Sequence, residues 1–223
     1  MPRVILKPGI FDFMFLFLYL ILLISSAFSP TVKHQPERQS PDSVQNLYHA
    51  CGAGHHIRFS VFKKSLEGYC RYRPANSVLA IADMGLPSGN KRLFVFDLKK
   101  RKLIATTWVA HGKNSGMALA KSFSNEPNSY KTSPGFYEVG KEIVSPKHGP
   151  ALMLEGLEKG KNDKARQREI IIHGADYVGA GFIRKYGRCG RSHGCPAIPK
   201  DMVSKLFPIL EGGSLLYIHR SDE

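Results

Sequence analysis

The chain has 223 residues, which is enough for one globular domain with accessory segments but short for a multidomain assembly. Hydrophobic residues make up 43% of it, and this share excludes wholesale disorder. Its 21 glycines and 14 prolines argue against a helical bundle and favour a turn-rich, strand-rich domain. A formal net charge of +14 favours anionic partners such as nucleic acid, anionic lipid or an acidic polymer of the cell envelope.

The N-terminus has the layout of an export signal. Arg3 and Lys7 precede an unbroken apolar run over residues 13–24, and small residues follow that run. A run of this length is short for a hydrocarbon core of roughly 30 Å. We therefore predict that residues 1–27 are a signal peptide, with a retained membrane anchor as the alternative. In both cases the rest of the chain lies outside the cytoplasm, and it meets the membrane only through this segment if the segment stays uncleaved.

Two further segments precede the main domain. The stretch after the signal is polar and carries prolines, which predicts a linker over residues 28–56. From Phe59 to Tyr72 apolar residues recur at helical spacing, and this pattern predicts an N-terminal helical segment within residues 57–77. Residues 78–223 then form the predicted main domain.

Short β-rich runs dominate that domain, separated by Gly, Pro or charged turns. We predict strands over residues 78–82, 93–96, 103–109, 135–139, 151–154, 169–173 and 214–219, with a hairpin at 97–102. One short helix is predicted over residues 200–206, with Pro208 ending it. The sum is a mostly β, mostly antiparallel domain with peripheral helices.

Cysteine and charge distribution add two expectations. In an oxidising compartment cysteines pair by default, so we predict a bridge between Cys51 and Cys70 and a free thiol at Cys195. The basic runs at residues 99–102 and 159–168 are interpreted as solvated turns. Aromatic residues do not interleave with these charges, so no nucleic-acid partner is expected.

The residues that point to chemistry are a histidine after a strand and a cysteine farther along the chain. An apolar run ends in His173-Gly174, which places an imidazole at the rim of a sheet. Cys195 follows in a glycine-containing turn, close enough for the chain to loop back. Such a pair suits nucleophilic catalysis, because the imidazole takes the thiol proton and the thiolate attacks a carbonyl.

The residue after the cysteine restricts where an oxyanion could bind. Pro196 has no N–H, so the backbone donors must come from Cys195, Gly194 or His193. Two non-catalytic interpretations stay open at this point. The cysteine and histidine could be structural core residues, or they could join Cys189 and His193 in a zinc site, although the spacing between the cysteines is longer than usual.

The two motifs together resemble a known family. His173-Gly174 followed by Ser192-His193-Gly194-Cys195 is similar to the signature of L,D-transpeptidase (YkuD-like) catalytic domains, and above all to the murein L,D-transpeptidase branch with Gly-Arg-Ser-x-Gly-Cys-Pro-Ala-x-Pro. The segments at residues 109–112 and 132–137 are similar as well. The resemblance implies an L,D-transpeptidase-like β-sandwich as a catalytic domain over residues 78–223. It also implies export to the periplasm or cell envelope, and acyl transfer on peptidoglycan stem peptides through a thioester.

The resemblance also assigns roles to individual residues. It makes Cys195 the nucleophile and His173 the base, with the Gly174 carbonyl orienting the imidazole. It further implies that the turn and oxyanion site are shaped by Ser192, His193 and Gly194. No metal or organic cofactor is implied.

One position departs from the family pattern. Ala197 stands where the better-known branch carries Asn or Arg, so the substrate carboxylate needs another partner. We predict Arg191 for that role, with Arg188 as the second choice. Cys189 is unexpected too, and it is interpreted as a buried inert thiol or, alternatively, as a regulatory disulfide partner of Cys195.

The predicted function is therefore a cysteine-dependent L,D-transpeptidase whose partner is peptidoglycan, an anionic wall polymer that matches the basic chain. Two alternatives stay open at the level of sequence. One is an L,D-carboxypeptidase or other hydrolase of wall peptide links with the same Cys–His chemistry. The other is a non-catalytic cell-wall-binding module whose cysteine is structural.

Overall fold

Eight strands form one continuous sheet in the computed structural model, which describes residues 41–220. The strands are β1 (Val78–Asp83), β2 (Leu93–Asp97), β3 (Lys102–Thr107), β4 (Gly135–Ser145), β5 (Gly149–Gly156), β6 (Ile171–Ala175), β7 (Ala197–Pro199) and β8 (Ser214–His219). They lie in the order β3-β2-β1-β8-β4-β5-β6-β7. The β1–β8 and β6–β7 pairs are parallel and the other neighbouring pairs are antiparallel, which confirms the mostly antiparallel prediction.

The sheet curls until its two ends meet. After β3 the chain runs along β7, where the Ala110 N–H donates to the Ala197 carbonyl at 2.8 Å and Gly112 bridges to Ser192. Residues from both ends of the strand order, such as Val95 and Ile198, consequently belong to one buried cluster. The result is a sandwich-like, nearly closed barrel of the predicted mostly β class.

Strand alternation divides the buried residues between two cores. Ala80 and Ala82 of β1 face the main core inside the curl, whereas Leu79 and Ile81 face a second core. Helices α1 (Pro41–Ala50) and α2 (Phe59–Tyr72) cover the second core, with a single 3₁₀ turn (Ala53–His55) between them. The predicted helix over Phe59–Tyr72 is confirmed.

Helix α1 corrects the predicted linker. The expectation of a linker over residues 28–56 is wrong for residues 41–55, because Val44 and Tyr48 pack in the second core. The spacing of Val44, Leu47, Tyr48 and Cys51 is the helical signal that the proline content obscured. Residues 28–40 of the predicted linker, and the predicted signal peptide or anchor, lie outside the described residues.

The remaining helices flank the strands near the C-terminus. They are α3 (Ala180–Tyr186), a 3₁₀ turn (Lys200–Met202) and α4 (Val203–Leu210). The prediction that Pro208 ends the last helix is wrong, because α4 continues through it. Pro208 cannot donate a hydrogen bond to the preceding turn, but burial of Leu206, Phe207 and Leu210 offsets that loss.

Two further findings concern the cysteines and the membrane. The predicted bridge between Cys51 and Cys70 is wrong: both are free thiols, since Cys51 is buried in the second core and Cys70 is exposed on α2. Among residues 41–220, none of the helices is long and apolar enough to cross a bilayer.

Candidate active site

An open groove of about 700 Å³ lies beside the end of β6. Its walls come from the tip of the β4–β5 hairpin, from the loop before β4 and from the segment before β6. We call it the Cys195 groove, and its lining includes Tyr130, Lys147, His148, Arg166, Arg168, Ile171, His193 and Cys195.

Parallel pairing of β6 with β7 sets the positions of the histidine and the cysteine. His173 lies opposite Ala197 in the register, and Cys195 comes just before β7, next to Ile171. A rise of about 3.3 Å per residue and a strand spacing of about 4.8 Å then separate the Cα atoms of His173 and Cys195 by about 8 Å. The two residues that the sequence singled out therefore lie diagonally opposite each other across one strand pair.

The His173 imidazole is buried and held through one nitrogen. Its side chain is 1% exposed, and its Nδ1 lies 3.1 Å from the Gly174 carbonyl oxygen. A carbonyl only accepts hydrogen bonds, so Nδ1 carries the proton and Nε2 is left with a lone pair. Burial lowers the pKa of His173 to about 4. At neutral pH the ring is uncharged and able to accept a proton.

A second histidine covers that ring. His148 lies at the tip of the hairpin between β4 and β5, and its ring stacks on His173 with centroids 3.8 Å apart and planes 23° apart. His148 lines the groove, whereas His173 lies beneath it. The sequence carried no signal for this contact, because the two histidines are brought together only when β5, which follows His148, pairs with β6, which contains His173.

The Cys195 thiol is partly exposed to the groove. Its Sγ donates to the Glu169 carbonyl at 3.7 Å. Burial raises the pKa of the Cys195 thiol above its ordinary value of 9.0, while the backbone of Ile171 and the charge of Arg168 oppose that rise. The resting pair is thus a neutral thiol beside a neutral imidazole, so the proton has to move when a substrate is attacked.

The turn before the nucleophile is tied by one hydroxyl. Ser192 is 5% exposed, and its Oγ donates to the Cys195 carbonyl at 2.6 Å and accepts from the Gly194 N–H at 3.0 Å. Gly194 has φ +131°, a conformation that favours glycine, and an added Cβ would lie 3.0 Å from the Lys131 carbonyl oxygen. His193 is exposed and lies against Tyr130, with ring centroids 4.6 Å apart. Because the Gly194 N–H is engaged within the turn, the backbone of His193 and Cys195 is better placed to serve an oxyanion.

A buried arginine supports this turn from below. Arg92 is fully buried and donates to the carbonyls of Val109 and Leu86 and to Nδ1 of His111, the last at 2.8 Å. The His111 carbonyl accepts the Ser192 N–H at 3.0 Å. Burial lowers the pKa of His111 to about 4 and that of Arg92 to about 10, so the pair carries a single positive charge at neutral pH. The cluster thus fixes the segment after β3 to which Ser192 is hydrogen-bonded.

The predicted carboxylate ligand lies elsewhere. Arg191 donates to the backbone carbonyls of Lys113 at 3.0 Å and Gly116 at 3.4 Å, and it is not among the residues that line the groove. Arg188 donates to the Cys189 carbonyl. Both guanidinium groups bind backbone instead of facing the Cys195 groove.

Arg168 is the cation beside the thiol, and sequence reasoning missed it. It donates to the carbonyls of Ser124 and Lys131 and to the hydroxyl of Ser133. These acceptors are neutral, so they hold the guanidinium without cancelling its charge. Arg168 ends the basic run that we interpreted as a solvated turn, and only the tertiary structure brings it to Cys195.

The cysteine just before the motif is sealed inside the protein. Cys189 is fully buried among small apolar side chains, and its thiol donates to the Ser88 carbonyl at 2.9 Å. This location fits the interpretation as an inert thiol. Among residues 41–220, moreover, His, Cys, Asp and Glu side chains are nowhere grouped in threes in a way that could hold a metal ion.

Comparison with solved structures gives several similar chains at low identity. An L,D-transpeptidase from Mycobacterium smegmatis is 13% identical with a TM-score of 0.40, and the match covers 65% of this chain and 59% of that one. The helical cell shape determining protein Pgp2 from Campylobacter jejuni is 15% identical with a TM-score of 0.41, over 66% of this chain and 49% of that one. This chain therefore spans about half the length of some of the chains it matches.

An L,D-transpeptidase from Xylanimonas cellulosilytica is covered more completely, with 11% identity and a TM-score of 0.38 over 79% of this chain and 80% of that one. A search of curated proteins gave no match. The match to a family model, in contrast, covers most of the chain. The model of the L,D-transpeptidase catalytic domain matches residues 53–219, from the 3₁₀ turn after α1 to the end of β8. The chain thus belongs to the family of L,D-transpeptidase catalytic domains.

Proposed function

We propose that the protein is a cysteine-dependent L,D-transpeptidase that acts on peptidoglycan stem peptides in the periplasm or cell envelope. The observation that supports the proposal is the β6–β7 register, which pairs the buried, neutral His173 with Ala197, two residues beyond Cys195, whose thiol borders the groove. The Nδ1 bond from His173 to Gly174 leaves Nε2 as the basic atom. Family membership supplies the reaction class, acyl transfer between peptides.

The proposed reaction proceeds in two acyl transfers. His173 Nε2 takes the proton from Cys195 Sγ, and the thiolate attacks the carbonyl of the third residue of the stem peptide. The imidazolium then protonates the departing amine of the terminal D-amino acid, which leaves a thioester on Cys195. The amine of a second stem peptide attacks that thioester, and its proton returns through His173 to the departing Sγ. The products are the cross-linked peptide and the free enzyme.

Two charge effects favour this chemistry. Arg168 holds a fixed positive charge beside Cys195, which stabilises negative charge as it develops on sulfur or on the carbonyl oxygen. The backbone of His193 and Cys195 is proposed as the oxyanion site. Lys147 lies at the groove and is assigned the carboxylate-binding role predicted for Arg191, whereas Arg166, also at the groove, is ion-paired with Glu155.

The test is intact-protein mass spectrometry with a disaccharide tetrapeptide donor. The wild-type protein should gain the mass of the donor minus its terminal D-amino acid, and a cross-linked dimer should accumulate in solution. Cys195→Ala should abolish both signals, and His173→Ala should lower the acylation rate by at least about 100-fold. Cys189→Ala, at the buried cysteine just before the motif, is the control and should acylate like the wild type. Full cross-linking activity in the Cys195→Ala protein would contradict the proposal.

Product analysis separates the alternatives. With an amine acceptor present, a transpeptidase gives cross-linked dimer, whereas a carboxypeptidase gives only the shortened stem peptide. A wall-binding module gives neither product and should bind purified sacculi without forming an acyl-protein.

A further inference from the structure

His148 is the least expected side chain around the reacting pair. Its ring lies 3.8 Å from that of His173 at an interplanar angle of 23°, a stacked arrangement instead of the edge-on contact of many aromatic pairs. His148 lies between the base and the open groove, and this explains why a histidine next to a groove is only 1% exposed.

The hairpin holds His148 in this place by its own geometry. The His148 N–H donates to the Ser145 carbonyl at 3.3 Å, and Gly149 follows with φ +70°, so the turn reverses sharply at the histidine. Ala151 of β5 then pairs with His173 of β6. The small side chain at Ala151 leaves the face of His173 open to the ring that folds over it from the hairpin tip.

Two contacts position the His173 ring: the hydrogen bond to Gly174 and the stacked ring of His148. The bond from Nδ1 to the Gly174 carbonyl fixes the tautomer, but one hydrogen bond leaves the ring free to rotate about it. A second ring lying flat on the first removes that rotation and excludes water from one face. We infer that His148 is a positioning residue for His173, holding the plane of the imidazole so that Nε2 can be presented to Cys195 during the reaction. This inference rests on the proposed function, since it concerns the same proton transfer.

The charged groups around His173 make the effect measurable. Lys147 and His148 act on it from the hairpin, the charge of His193 reaches His148 from the turn before Cys195, and Lys200 packs on Gly174 from beyond β7. Burial is the largest cause of the low pKa of His173, and the charges of His148 and Lys147 add to it. Removing the covering ring admits water, so the pKa of His173 should rise from about 4 toward its ordinary 6.5.

The experiment compares two substitutions at one position. His148→Ala removes the stack, while His148→Phe keeps a flat ring of similar size without a titratable group. For His148→Ala we expect kcat to fall by up to about 100-fold with a much smaller change in KM, because a misdirected base slows the chemistry whereas the groove loses only one of its many lining side chains. The acid limb of the pH profile of kcat should also move upward. His148→Phe should restore most of kcat and keep the acid limb near that of the wild type.

Several results would overturn the inference. Wild-type kinetics in His148→Ala would show that the stack is not needed, and an equal loss in both variants would show that the imidazole itself, not its ring plane, matters. Lys141→Ala, at an exposed position of the same hairpin that does not line the groove, controls for general damage to the hairpin and should behave like the wild type. If His148→Ala fails to fold, the test is His148→Phe alone: its pH profile of kcat must match that of the wild type. Cys195→Ala tests the reaction itself, so failure of the inference and failure of the proposed function give different results.

Discussion

Ser192 offers a direct test of how the nucleophile turn is built. Its hydroxyl donates to the Cys195 carbonyl at 2.6 Å and accepts the Gly194 N–H at 3.0 Å. The Ser192→Ala substitution removes both hydrogen bonds without adding bulk. It leaves one donor and one acceptor without partners, and each unsatisfied buried group costs about 1–3 kcal/mol.

The size of the effect depends on water. Cys195 borders the open groove, so water can replace part of the lost bond at its carbonyl, whereas the Gly194 N–H is buried. We expect the free energy of unfolding to fall by about 2–4 kcal/mol in Ser192→Ala. For a domain of this size each kcal/mol lowers Tm by about 2–4 °C, which gives a decrease of roughly 4–16 °C.

Thermal unfolding and acylation kinetics measure the two consequences. Differential scanning calorimetry reports the change in Tm, and intact mass after donor addition reports the acylation rate, which should fall because the turn that presents Cys195 is looser. Ser204→Ala on the exposed face of α4 is the matched control and should change stability by less than about 0.5 kcal/mol. An unchanged Tm and acylation rate in Ser192→Ala would show that the hydroxyl does not hold the turn.

Three further predictions test the electrostatics and the packing. Arg168→Gln should raise the pKa of the Cys195 thiol, because the nearby positive charge is lost, and iodoacetamide alkylation of that thiol should then require higher pH than in the wild type; an unmoved profile would refute the role of the charge. The pKa of buried His111 is about 4 in the folded protein and near 6.5 in the unfolded chain, so this residue contributes about 3 kcal/mol to the free energy of unfolding above pH 6.5. That contribution is lost as the pH falls toward 4. Urea unfolding of His111→Gln should therefore show a smaller loss of stability over that pH window than the wild type. An added Cβ at Gly68 of α2 would overlap an aromatic ring of β4, so Gly68→Ala should lower the free energy of unfolding by about 1–3 kcal/mol, whereas Gly181→Ala in α3, where the space is open, should not lower it.

Much of the fold could be predicted from local pattern alone. Apolar runs bounded by glycine, proline and charged turns marked most strands, since a half-buried strand requires that composition. The errors came where tertiary contacts outweighed local signals. Burial of Val44 and Tyr48 stabilises a helix in a proline-bearing stretch, and burial of Phe207 and Leu210 carries α4 past Pro208.

Some residues of the candidate site could likewise be predicted from the sequence, and others could not. His173 and Cys195 could be found because each belongs to a motif whose residues are adjacent in sequence. His148 and Arg168 could not, since their roles depend on which loops the sheet brings to the groove. Arg191 shows the converse: proximity in sequence to Cys195 suggested a substrate contact, but its guanidinium binds the carbonyls of Lys113 and Gly116.

The contact that closes the sheet has a consequence for local motion. The Ser192 N–H is bonded to the His111 carbonyl, and the Ala110 N–H to the Ala197 carbonyl, across the join between the two ends of the strand order. The same join carries the nucleophile turn, so that turn cannot open by fraying of a free edge. Amide hydrogen exchange at Ala110 and Ser192 is therefore expected to proceed only through global unfolding, at the rate of the slowest core amides.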